Sequence, residues 1–130
     1  MDAMDREIIS TSSAPSAIGP YSQAVRAGDT LYCSGQIPID PATGLVRRVS
    51  VDDQTKQVLE NLKAVLAAAG YALTDIVRCT VYVSDMENFG QINAVYGRYF
   101  PSDPPARATV EVSRLPKDVD VEISCIAVKG

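Results

Sequence analysis

The sequence contains no histidine. That removes the side chain whose charge normally changes between pH 5 and 8, and it excludes Ser–His and Cys–His nucleophile pairs. Cysteine is scarce: Cys33, Cys79 and Cys125 are widely spaced, and three is an odd number. Without histidine or close cysteine pairs, a zinc site has no natural ligand set. The same spacing argues against a disulfide framework. No apolar run is long enough to span a bilayer. The opening "MDAMDREIIS" lacks the basic start and apolar centre of a secretory signal, so a cytoplasmic location is expected. Basic residues are also short: 12 Lys and Arg face 16 Asp and Glu, a net charge of −4. Nucleic-acid binding rests on clustered cations, and the one basic pair, Arg47 and Arg48, is too short to form a binding stripe.

What is present reads as a globular chain. Its 130 residues are expected to form one domain over 1–130, with 1–9 as an N-terminal extension or short edge strand. Hydrophobic residues at 46% are enough for a real core. "STSSAPSAIGPYSQ" reads as an irregular arm. Strands are expected at Glu7–Ser10, at Gln23–Ala27, and in "TLYCSGQIPI", where Leu31, Cys33, Gly35 and Ile37 alternate with Tyr32, Ser34 and Gln36. A helix is expected over Val51–Ala69, capped by Ser50, with Asp53 as the capping-box acid and Gly70 as the stop. "DIVRCTVYV" is a strand with Val77, Cys79, Val81 and Val83 on one face. "SDME" suggests a second cap by Ser84, with Glu87 reaching back, for a helix running to about Phe100. "ARATVEV" and "VDVEISCIAVK" close the chain as strands. This order predicts an α+β fold: two helices on one face of a mostly antiparallel or mixed sheet.

Each cysteine falls on the more apolar side of its strand, which predicts buried, inert thiols. By alternation the opposite face carries Ser34, Gln36, Arg107, Thr109, Glu111, Asp120, Glu122 and Ser124. It also carries Tyr32, Tyr82, Ile126 and Val128, which suit a covered surface better than a wet one. No third layer exists in the sequence, so another copy of the chain is the expected cover. The plainest reading of Arg107 is a cross-strand salt bridge to Glu122 or Glu111. Asn93 could cap a neighbouring loop, and Tyr21 could simply pack.

Three segments together weigh against that plain reading: "APSAIGPYSQAV" leading into "SGQIPIDPATG", and "PPARATVEVSRLPKDVDVEISCIAV" at the end. From about Ser10 onward the chain resembles the RidA (YjgF) family of reactive imine/enamine deaminases. The resemblance implies a chorismate-mutase-like fold and a homotrimer, with sheets packed inward and three sites in the clefts between subunits. It also implies hydrolysis of 2-imino acids, formed from enamines such as 2-aminoacrylate or 2-aminocrotonate, to 2-keto acids and ammonia. Arg107 matches the family's carboxylate-binding arginine, and Glu122 the acid near the attacking water. Gly35, after Ser34, matches the backbone donor at the substrate carboxylate. Tyr21, Phe89 and Asn93 match pocket-lining positions. Thr109 stands where many members have cysteine, which counts against a thiol mechanism.

The residue inventory is compatible with that chemistry. A guanidinium meets a carboxylate with two parallel hydrogen bonds. A carboxylate on the same sheet face as Arg107, which alternation gives Glu122, could aim water and pass a proton. No metal or organic cofactor is required. Two other readings attach to the same resemblance. One is a non-enzymatic binder of keto or amino acids; the other is a ribonuclease or translation inhibitor, which the acidic balance and missing histidine disfavour.

Overall fold

A computed structural model of the chain describes residues 5–129; residues 1–4 of the expected N-terminal extension lie outside them. Six strands, β1 (Arg6–Ile9), β2 (Ala24–Ala27), β3 (Thr30–Gln36), β4 (Ile76–Val83), β5 (Ala106–Glu111) and β6 (Val121–Val128), form one sheet in the order β1-β2-β3-β6-β4-β5. All neighbours are antiparallel except β4 and β5, so the sheet is mixed. Two helices, α1 (Val51–Ala68) and α2 (Phe89–Tyr99), complete the α+β architecture.

The apolar stripe of α1 drives its docking. Val58, Leu59, Leu62, Val65 and Leu66 are fully buried, packed with Leu31, Val81, Val83, Val121 and Ile123 of the sheet. Ser50 caps α1 as expected, accepting from the Asp53 backbone N–H at 3.0 Å. The Asp53 carboxylate does not turn back to complete a capping box; Arg47 Nε donates to it at 2.8 Å. Before α2 the expected cap moves by one residue. Asp85, not Ser84, accepts from the Glu87 N–H, and a 3₁₀ turn over Met86–Asn88 precedes the helix.

Two bulges alter the expected faces. In β4 the register with β6 slips between Ile76 and Arg78, so Val77 leaves the core face and is exposed while Cys79, Val81 and Val83 stay buried. In β3 the register slips between Cys33 and Gln36. Ser34 and Gly35 together then oppose one residue of β6, and Gln36 pairs with Ile123 and is buried on the core side, not on the open face. All three cysteines are buried under the helices as free thiols, matching the sequence reading.

Candidate functional site

The β3 bulge lines a cleft of about 540 Å³. The N-terminal arm forms one wall through Ile18 and Tyr21, and the turn before β6 forms another through Pro116 and Lys117. Gln23, which sequence reasoning passed over, is buried and ties the arm down. Its amide donates to the carbonyls of Pro15 (2.7 Å) and Thr11 (3.1 Å) and accepts from the Thr11 N–H (2.7 Å). A polar side chain amid the apolar residues of "YSQAV" was the only signal available. Gln23→Leu is expected to leave these backbone groups unpaired and to destabilise the protein by about 1–3 kcal/mol in thermal or urea unfolding. An unchanged midpoint would show that the arm is held by other contacts.

Glu122, on β6, is half-buried in this cleft. Burial pushes its carboxyl above the usual carboxylate range. It lies directly beneath Gly35: a Cβ added there would collide with a carboxylate oxygen and come within 2.9 Å of Cδ. Glycine is therefore what lets the Glu122 carboxylate occupy this position, and the bulge brings bare backbone onto the acid. Beside it the Ser34 hydroxyl donates to the Ser22 carbonyl at 2.6 Å, linking β3 to the arm. Tyr21 is half-exposed, and its hydroxyl accepts from the Ile18 N–H at 3.3 Å. Tyr21, Ser34, Gly35 and Glu122 are thus assembled in one place.

Arg107 is elsewhere. Through the parallel β4–β5 register it lies beside Cys79, and Thr109 beside Val81, on the face that the helices cover. Glu122 lies opposite Tyr82, on the other face. The simple alternation that put Arg107, Thr109 and Glu111 beside Glu122 is overturned, because strand phase was inferred without knowing the pairing. The expected salt bridge is absent as well: among the described residues Arg107 forms no ion pair, and Glu111 instead accepts from the Met86 N–H at 2.7 Å. The guanidinium lies 4.8 Å from the ring centre of Tyr96 and 5.6 Å from that of Phe89, both on α2. Nearby on the same helix, the Asn93 Oδ1 and Tyr96 hydroxyl are buried without hydrogen-bond partners. Burial, and then the adjacent Cys79 thiol, hold the Tyr96 phenol well above its ordinary pKa. Arg107, Phe89, Asn93 and Thr109 therefore make a second cluster, a cation on aromatic faces with unmet polar atoms beside it.

Comparison with known proteins bears on how these halves should be read. The profile of the Endoribonuclease L-PSP family matches residues 11–129. The chain belongs to that family, the RidA/YjgF group. A RutC family protein of Pyrococcus horikoshii is 56% identical over 95% of this chain and 98% of its own length. A Bos taurus protein named 2-iminobutanoate/2-iminopropanoate deaminase is 48% identical over 100% of this chain and 95% of its own. The crystal structure of Escherichia coli TdcF with bound serine superposes with a TM-score of 0.92, at 46% identity, covering 95% of this chain and 99% of that one. In this RidA/YjgF-family chain, "GPYSQ" supplies the arm, "SGQ" the bulge, "PAR" the start of β5, and "LPKD" the turn that carries Lys117. Arg48 holds that turn by donating to the Lys117 carbonyl at 2.6 Å, and Lys117 has a positive φ of 55°. No helix among the described residues is long and apolar enough to cross a membrane.

Proposed function

We propose that the protein hydrolyses 2-imino acids, and the enamines that tautomerise to them, to 2-keto acids and ammonia. The site would assemble between copies of the chain in a ring-like homotrimer. The observation that carries this reading is the Glu122 carboxyl: half-buried, raised in pKa, and set against bare backbone in an open cleft. A carboxylate whose proton affinity is raised by burial is a better base toward water than a fully solvated one. Glu122 takes a proton from the attacking water as it adds to the protonated imine carbon. It returns that proton to nitrogen, then takes the hydroxyl proton of the tetrahedral adduct as the carbonyl forms and ammonia leaves, and finally yields that proton to the departing ammonia. Arg107 would grip the carboxylate of the substrate with its planar fork. Since Arg107 and Glu122 occupy opposite faces of one sheet, a single copy cannot close both around a small acid. A second copy presenting its Arg107 edge to the Glu122 cleft can. The exposed Tyr32, Val110 and Val128 supply apolar surface for such packing. Tyr21, Ser34, Gly35, Phe89, Asn93 and Thr109 would line the composite pocket.

Two named relatives support different versions of this reading. The Bos taurus deaminase favours catalysis, whereas serine bound to TdcF would also suit a protein that only holds small amino or keto acids. Glu122→Gln separates them. Keto-acid release, followed in an assay fed by a pyridoxal-phosphate dehydratase, is expected to fall roughly 10²–10⁴-fold, with keto-acid binding retained. The variant should fold, because a raised carboxyl pKa contributes stability below its unfolded value that is lost as pH rises through the folded one. An amide removes that loss. Wild-type protein that binds but never turns over would leave the binding reading standing.

A further inference from the structure

Helix α1 buries two amides among its apolar residues: Gln54 is 3% exposed and Asn61 1%. They are separated by roughly two turns, about 10 Å along the axis, so both project from one face. Neither takes part in the proposed reaction. Each binds a different wall of the Glu122 cleft.

Asn61 holds the wall that follows β3. Its amide nitrogen donates to the Ile37 carbonyl at 3.2 Å and to the Ile39 carbonyl at 2.9 Å, and its Oδ1 accepts from Gln57 Nε2 at 2.8 Å. Ile37 and Ile39 line the cleft. Gln54 holds the opposite wall, where the Pro116–Asp118 turn leads into β6. Its Nε2 donates to Asp120 Oδ2 at 2.8 Å, and its Oε1 accepts from the Asp120 N–H at 2.9 Å. The Ser84 hydroxyl donates to the other oxygen of the same carboxylate at 3.4 Å. Pro116 and Lys117 precede Asp120 and line the cleft; Glu122 follows it and does the same. The reciprocal Gln54–Asp120 pair therefore grips the chain just ahead of the acid.

The pairing of β3 with β6 ends at Gln36 and Ile123. Past that point α1 links the two walls. Apolar packing buries the helix but is non-directional, whereas the amide hydrogen bonds fix where along the helix each wall attaches. We infer that Gln54 is a positioning residue: paired with Asp120, on a helix anchored at its other end by Asn61, it holds the start of β6 so that the Glu122 carboxyl stays against the Gly35 backbone. Its kinetic consequence rests on the proposed hydrolysis; its geometric consequence does not.

Two variants test this. Gln54→Met fills similar space and loses both hydrogen bonds to Asp120. Gln54→Glu combined with Asp120→Asn restores them with the side-chain donor reversed, since the new amide donates to the new carboxylate. In Gln54→Met, kcat for keto-acid release is expected to fall roughly 10- to 100-fold, the scale of an ångström-sized misplacement, while KM, governed by Arg107, changes little. The Glu122 carboxyl is followed without substrate by carbon-13 NMR titration, its resonance assigned by its absence from Glu122→Gln. In Gln54→Met it should titrate lower, closer to an ordinary carboxylate, as the loosened wall admits water. Tyr21 and Lys117 in the cleft, and Asp120 beside it, are all retained in that variant, so the shift reports position and not a deleted charge. The exchanged pair should restore both kcat and the titration. A native Glu122 titration in Gln54→Met would overturn the inference, as would a folded exchanged pair that leaves Glu122 displaced. If Gln54→Met fails to fold, the exchanged pair decides alone: a native Glu122 titration supports the inference. Wild-type protein that releases no keto acid would sink the hydrolase reading and leave the titration result intact.

Discussion

Arg107→Ala is expected to lower kcat/KM for imine hydrolysis by roughly 30- to 4,000-fold, the equivalent of about 2–5 kcal/mol for removing one partner of a desolvated charge pair. The native side chain has no carboxylate partner among the described residues and is held over Tyr96 and Phe89. Its loss should therefore change binding of an acid more than folding. Arg107→Lys should recover little, because an ammonium keeps the charge and loses the two-pronged geometry. Subunit mixing adds a sharper test. Arg107→Ala and Glu122→Gln copies are each expected to be inactive. If every site takes its arginine from one copy and its glutamate from another, an equal mixture in a closed ring should regain roughly one quarter of the sites. No recovery after unfolding and co-refolding would mean that the composite site is wrong.

Gly35→Ala should abolish turnover about as thoroughly as Glu122→Gln does. The added methyl occupies the place of the Glu122 carboxylate and approaches Cγ to 3.1 Å and Cδ to 2.9 Å. Those atoms belong to a side chain that can swing away, so the carboxylate moves and the sheet remains. Stability is expected to change by less than about 1 kcal/mol, a normal range for a substitution that creates no cavity. Keto-acid release and urea unfolding on the same preparation would separate the two effects. A variant with native turnover would show that the acid works from a different position from the one seen.

These two experiments fall on opposite sides of what could be read from the sequence. The helix limits of α1 followed from the spacing of Val58, Leu62, Val65 and Leu66, and the Ser50 cap from local chemistry; both depend on neighbours within a few positions. Burial of the cysteines followed from strand alternation alone. Errors arose wherever strand phase depended on a partner. Val77 and Gln36 change sides because β4 and β3 each carry a bulge opposite β6, and a bulge has no signature in either strand alone. Arg107 was placed with Glu122 because both alternate correctly within their own strands. Only the parallel pairing of β5 with β4 shows that their phases are opposed. The residues expected at the site by family likeness fall into two clusters, Tyr21, Ser34, Gly35 and Glu122 in one and Phe89, Asn93, Arg107 and Thr109 in the other. Gln23 was missed because its role lies in carbonyls of the arm eight to twelve residues earlier.

The missing histidine removes the side chain that ordinarily titrates just above the carboxylate range. Burial displaces the Glu122 carboxyl upward from the ordinary carboxylate range. Calorimetry in buffers of differing ionisation heat would therefore read proton uptake or release on ligand binding with no imidazole contribution, and Glu122→Gln would show the share that belongs to that acid.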